Sequence, residues 1–202
     1  MPTSDKSDEM KHLSDQELMR IVQTGDLAPA GEIYERYSRI IYNFAARFLR
    51  NDAAADDATQ EVLMKVIKHA NQFKSDARLS TWILAITANW CRDFKRKHDN
   101  KRKESEAVLM ALPASPKYSP ERGIEHRERT DKIQDALSIL SDDQRAVILL
   151  SRYQGLTYLE IAQICGCSES AVKTRVFRAM EILKKSLNTE PPEGPQCLTA
   201  TP

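Results

Sequence analysis

Four cysteines and four histidines are the residues of this 202-residue chain that could do metal or redox chemistry. Two of the cysteines stand one residue apart, as Cys165-Gly166-Cys167, inside the stretch "LEIAQICGCSESAVKTRVFRAM". A thiolate pair at that spacing could hold a soft metal or cycle between dithiol and disulfide. A structural zinc site wants C-x2-C or histidines at helical spacing, whereas His12, His69, His98 and His126 all lie far from the pair in sequence. The same residues also read as a fold. Ala162 lies within an amphipathic stretch, Gly166 follows four residues later, and Ser168 is a good N-cap for a second helix. Gly166 supplies the positive φ of a tight turn. In that frame Ile161, Cys165, Cys167 and Val172 point inward, as do Leu183 and Leu187, and the sulfurs are small apolar core groups. A thiol sensor is the alternative, since oxidation would disturb the turn.

A helix, a Gly turn and a second capped helix form the helix-turn-helix layout, whose second helix enters the DNA major groove. Here that helix carries Lys173, Arg175, Arg178, Lys184 and Lys185 against Glu169 and Glu181, a local charge of +3. Ser168, Ser170, Lys173, Thr174 and Phe177 suit phosphates, base edges and thymine methyls. The whole chain carries only +1, so the distribution of charge and not its total points to nucleic acid. There is no Gly-rich phosphate loop, no nucleophile elbow and no carboxylate pair in a catalytic context. The expectation is therefore a protein that is not an enzyme and uses no metal or cofactor.

The elements that must position these residues are helical. The segment "LSDQELMRIVQTGD" starts at a Ser14/Glu17 capping box and carries Leu18, Ile21 and Val22. "AGEIYERYSRIIYNFAARFLRN" has Ile33, Tyr37, Ile40, Ile41, Phe44 and Phe48 at helical spacing, and Asn51-Asp52 breaks it. "ADDATQEVLMKVIKHANQF" puts Ala58, Val62 and Val66 on one face. After the polar loop "KSDARLS", "TWILAITANWCRDFKRKHD" begins apolar and ends strongly basic. Short helices return in "RTDKIQDALSIL", "SDDQRAVILLSRYQ", "TYLEIAQIC" and "SESAVKTRVFRAMEILKKSL". No segment alternates as a strand does. The expectation is an all-α protein of two small helical domains, residues 14–98 and 128–187, joined by a flexible Pro-containing linker over 99–127. Residues 1–13 and the Pro-rich 188–202 read as disordered. No apolar run reaches membrane-spanning length and the first residues lack a signal-peptide core, so the expected location is cytoplasmic, without membrane insertion.

Three segments in order resemble the extracytoplasmic-function (ECF) sigma factors of bacterial RNA polymerase. They are "DATQEVLMKVI", "FKSDARLSTWILAITANWCRDFKRK" and "LSDDQRAVILLSRYQ" followed by "GLTYLEIAQICGCSESAVKTRVFRAMEILKK". The resemblance covers roughly residues 14–98, as sigma region 2, and 128–187, as sigma region 4. It departs from common family residues at Ala85, Thr87 and around Leu79 and Ser80.

The resemblance implies a division of labour. Asp57, Gln60 and Glu61 would meet the clamp helices of the polymerase β′ subunit. From Asp52 to Glu61 there are four acids and no bases, so that face does not suit DNA. The fourth helix and its loop would open and read the −10 element, through Phe73, Lys74, Ser75, Asp76, Asn89, Arg92, Lys95 and Arg96. Phe73 would pack, Lys74 would meet phosphate, and Ser75 and Asp76 would face the edges of a flipped base. Seven bases against two acids run from Arg92 to Lys103, a phosphate-binding tail. Trp82 suits the core, and Trp90 could stack on a base. Ser168, Lys173, Thr174, Arg175, Phe177 and Arg178 would meet the −35 duplex. The implied partners are core RNA polymerase (β′ clamp helices and β flap), promoter DNA and an anti-sigma factor. The implied regulon is a stress or envelope response.

Overall fold

The computed structural model describes residues 10–74, 76–106 and 133–188. The first helix, α1, spans Asp15–Gln23 and begins with the expected capping box: the Glu17 amide donates to Ser14 Oγ at 3.3 Å, and the Ser14 amide donates to the Glu17 carboxylate at 2.7 Å. Helix α2 spans Ala30–Leu49 and α3 spans Asp52–Lys68. Arg50, left-handed at φ 55°, ends α2, and Asn51 caps α3 by accepting from the Ala54 amide at 3.0 Å. The Asn51-Asp52 break is thus also a start signal. A 3₁₀ turn at Ala70–Gln72 leads through the loop into α4, Leu79–Glu106.

The N-terminal core forms where these helices meet. Leu18, Met19, Ile33, Ile41, Phe44, Phe48, Val62, Val66, Ile83 and Leu84 are all buried. Ile21 and Ile40, expected inside, are half-buried, and Met19 takes the buried place beside Leu18. Helix α4 runs further than the sequence suggests, to Glu106, through the first residues assigned to the linker. Lys, Arg and Glu are good helix formers, and the first proline after the loop is Pro113, so nothing stops the helix at residue 99. The rest of that linker, most of the N-terminal segment and nearly all of the C-terminal tail lie outside the described residues.

The C-terminal domain begins with α5 over residues 133–138. Helix α6, Asp142–Ile148, continues into a π-helical turn at Leu149–Tyr153, followed by α7, Tyr158–Cys165, and α8, Glu169–Asn188. Helices α6 and α7 each start with a capping box, Ser141 with Gln144 and Thr157 with Glu160. Among the described residues there is no strand, and the fold is all-α. Arg145 is 6% exposed and donates to four carbonyls: Leu137, Ser138 and Leu140 around the end of α5, and Phe48 near the end of α2. Each helix end presents carbonyls with no intrahelical donor, and one guanidinium serves both. Burial lowers its pKa.

Arg145 is one of several links between the domains. Arg50 pairs with Asp135 at 2.7 Å, Lys95 with Asp142, and Arg78 with Glu160 at 3.9 Å. Thr81 Oγ1 donates to Glu160 at 3.3 Å, and the Arg47 guanidinium lies over the Tyr153 ring at 4.7 Å. The C-terminal domain therefore rests along one side of α2 and α4.

Candidate nucleic-acid interface

The turn around the C-x-C is a complete Schellman closure. Gly166 is left-handed at φ 61°; its amide donates to the Gln163 carbonyl at 3.4 Å, and the Cys167 amide to the Ala162 carbonyl at 3.1 Å. Ser168 then caps α8 by accepting from the Ala171 amide at 3.2 Å. Ile161 and Val172 are buried and the two cysteines are half-buried against the same core. Burial pushes the Cys165 thiol up, partly offset by Arg92. Leu183 is half-buried, but Leu187 is 58% exposed, a correction: it lies on the last turn of α8, where no described residue buries it. Among the described residues no three His, Cys, Asp or Glu side chains cluster as a metal site would require.

Helix α8 turns one face to solvent. Ser170, Lys173, Thr174, Phe177 and Arg178 share it at i, i+3, i+4, i+7 and i+8, and all are exposed. Phe177 is 66% exposed, so its ring serves no core. Lys173 pairs with Glu169 at 2.8 Å, which raises its pKa. Arg175 points elsewhere: it is half-buried, pairs with Asp143 on α6 at 3.1 Å and donates to Cys167 Sγ at 3.5 Å. Its charge holds α8 to α6.

The second part lies on the N-terminal domain. A cleft of about 430 Å³ opens between α1 and the loop before α4. It is lined by Gln16, Met19, Arg20, Gln23, Phe73, Lys74 and Asp76. Gln23 fixes the loop by donating to the carbonyls of Ala70 and Phe73 at 2.9 and 3.2 Å. Lys74 and Asp76 are exposed at the rim, while Phe73 is 5% exposed and packs on Trp82 with ring centroids 5.5 Å apart. Phe73 thus shapes the wall, as a packing residue does; Ser75 lies outside the described residues. Sequence reading missed Gln16, Arg20 and Gln23. Their spacing, i, i+4 and i+7 on the polar side of α1, was the available signal.

Along α4, Asn89 is exposed and accepts from Arg92 at 2.9 Å. Arg92 also donates to Cys165 Sγ at 3.3 Å, Lys95 meets Asp142, and Arg96 pairs with Asp93 at 2.9 Å. Trp90, read as a possible stacking ring, is 8% exposed; it stacks on Phe94 and donates its indole N–H to Glu61 at 2.7 Å. Its position at the α3–α4 contact leaves no free face for a base. Thr87 is fully buried and returns its hydroxyl to the Ile83 carbonyl at 2.8 Å, which is how a polar residue is accommodated there.

Asp57, Gln60 and Glu61 form one exposed face of α3, apart from the cleft lining. Beside Gln60 lies an apolar groove between α2 and α3, lined by Ile33, Tyr34, Leu63, Met64 and Ile67; Met64 is 63% exposed. This acidic and apolar surface suits protein rather than DNA.

A helix-turn-helix with a basic exposed face, joined to a helical domain with a cleft beside a basic helix, defines a two-domain DNA-reading protein. Sequence comparison sharpens the class. Residues 33–101 match sigma-70 region 2 and residues 130–183 match sigma-70 region 4, together more than half of the chain. The chain is 27% identical over 180 residues to the RNA polymerase sigma-H factor of Pseudomonas aeruginosa, covering 86% of this chain and 93% of that one. It is 29% identical over 173 residues to the ECF sigma factor SigW of Bacillus subtilis, covering 82% and 92%. Its fold matches the sigma factor RpoE of Bartonella quintana, solved in complex with the anti-sigma factor NepR, with a TM-score of 0.60 at 27% identity, covering 76% and 93%. The chain belongs to the sigma-70 family and is a sigma factor of the ECF type. No described helix is long and apolar enough to cross a membrane.

Proposed function

We propose that this sigma factor divides its work among three surfaces. The α3 face with Asp57, Gln60 and Glu61, and the groove beside it, docks on the β′ clamp helices of core RNA polymerase. The cleft between α1 and the Lys74–Asp76 loop receives a flipped base of the −10 strand. At about 430 Å³ it has room for a nucleobase, and its rim offers a cation, a carboxylate and amide groups that can meet a base edge. The basic end of α4, with Asn89, Arg92, Lys95 and Arg96, follows the strand's phosphates. The exposed face of α8 reads the −35 duplex in the major groove, with Ser168 at its N-terminus contributing as cap and Arg175 as brace. The β flap is the second polymerase contact of region 4.

The observation that carries this reading is the separation of the three surfaces by charge and position. An acidic and apolar face on α3 and a mixed polar cleft beside the basic α4 have separate linings on the N-terminal domain, and the exposed basic face of α8 lies on the C-terminal one. In this reading the chain has no catalytic residues of its own, needs no cofactor and works in the cytoplasm. An anti-sigma factor holds it inactive, and the promoters it serves belong to a stress or envelope response.

The test separates polymerase from DNA. Glu61→Lys should weaken binding to core polymerase at least tenfold and leave −35 duplex binding unchanged. Glu61→Gln keeps an acceptor for Trp90 and should lie between the two. Equal core affinity for Glu61→Lys and the unaltered protein would refute the docking assignment.

A further inference from the structure

We infer that the C-terminal domain acts as an intramolecular mimic of promoter phosphates, covering the basic side of the N-terminal domain until DNA displaces it. The inference rests on reading α4 as the −10-facing helix. Three carboxylates of the C-terminal domain, Asp135, Asp142 and Glu160, meet three cations of the N-terminal domain, Arg50, Lys95 and Arg78. Two of those cations lie on or beside α4, and Lys95 belongs to the tail that would follow a DNA strand. The carboxylates sit at the start of α6, within the first turn of α7 and in α5, so three separate elements each meet a cation of the N-terminal domain: Arg50 at the end of α2, Arg78 just before α4 and Lys95 on α4.

Arg92 shows why the cover is reversible. Its guanidinium lies under the C-terminal domain with only the neutral Cys165 thiol and the Asn89 amide oxygen as partners. Its Nε is buried with no acceptor. A charged group with an orphaned N–H is poorly served by its surroundings, and a phosphate would serve it better. The three ion pairs are partly exposed, so each is weak and screened by salt. Meanwhile the recognition face of α8 stays open, with Lys173, Thr174, Phe177 and Arg178 exposed. The covered form can therefore meet −35 duplex while, on its −10 surface, Lys95 is held by Asp142 and Arg92 lies under the C-terminal domain.

The test uses the full-length chain. A zero-length carbodiimide should join Lys95 to Asp142 in the free protein, and peptide mass spectrometry should find the link. A short single-stranded DNA oligonucleotide should suppress it, and so should raised salt. The triple variant Asp135→Asn, Asp142→Asn, Glu160→Gln removes the charges but keeps the fold, since Gln serves the Thr157 capping box as Glu does. It should bind the oligonucleotide about three- to tenfold more tightly, with −35 duplex binding unchanged. Absence of the cross-link in the free chain would overturn the closure whatever the DNA result. A cross-link that the oligonucleotide leaves intact, with equal affinity in the variant, would overturn the mimicry. Oligonucleotide binding by neither protein would overturn the −10 reading and the mimicry together, leaving a cross-link that reports a structural contact alone.

Discussion

Replacing Arg145 should unfold the C-terminal domain at far lower denaturant. The side chain donates at 2.9 Å to Leu137, 2.8 Å to Phe48, 3.1 Å to Ser138 and 3.2 Å to Leu140. Arg145→Ala leaves buried carbonyls at two helix ends without donors, each worth about 1–3 kcal/mol if water cannot reach it. Water will reach some of them through the space left, so the expected loss is about 3–5 kcal/mol. Arg145→Lys keeps the charge but lacks the planar fork, and should lose about 1–3 kcal/mol. Both tryptophans, Trp82 and Trp90, lie in the N-terminal domain, so their fluorescence follows that domain while far-ultraviolet circular dichroism follows both. Urea titrations read by the two signals should separate. The helical signal should shift strongly in Arg145→Ala. The tryptophan signal should shift by about 1 kcal/mol, because of the four bonds Arg145 makes only the one to Phe48 reaches the N-terminal domain. A helical transition within about 1 kcal/mol of the unaltered protein would refute this account of the buried guanidinium.

Phe177→Ala should leave stability within about 0.5 kcal/mol, since the ring is exposed, yet weaken −35 duplex binding by about 1–3 kcal/mol; fluorescence anisotropy against matched and mismatched duplexes reads this. Hydrogen bonds from Thr157 hold the Glu160 carboxyl below its ordinary 4.5. The stability it contributes is thus present above pH 4.5 and lost as pH falls through the lower folded value, and Glu160→Gln should flatten that part of an acid titration. Cys165→Ala should lower stability by about 1 kcal/mol without altering −35 sequence preference, as measured by denaturation and duplex titration. Cys91 is fully buried and its thiol is pushed up to about 12 by burial, so iodoacetamide should label it only after unfolding.

The turn was legible from sequence because its chemistry is local. A left-handed glycine between Ala162 and an N-cap serine leaves few alternatives, and the exposed face of α8 follows from helical spacing alone. The capping box at Ser14 and the buried positions of α2 and α3 were legible for the same reason. The cleft was half legible: Lys74 and Asp76 announce themselves in a polar loop, but Gln16, Arg20 and Gln23 join it only through packing. Trp90 and Arg145 were misjudged or missed because burial of an amphipathic or charged side chain depends on partners distant in sequence, here Glu61 and the Phe48 carbonyl. The length of α4 was hidden because a run of Lys, Arg and Glu serves a helix as well as a linker. The contact between the domains joins residues some 47 to 106 positions apart, and no periodicity reports it.

The central claim is that this chain gives core RNA polymerase its promoter. Run-off transcription by purified core enzyme, on fragments retained by the reconstituted complex, tests it most directly. The account predicts transcripts that require the chain, fall at least tenfold when the −10 bases are changed, and fall likewise with Lys173→Ala combined with Arg178→Ala. Transcription no greater than that of core enzyme alone, or equal output from templates with altered −10 bases, would contradict it.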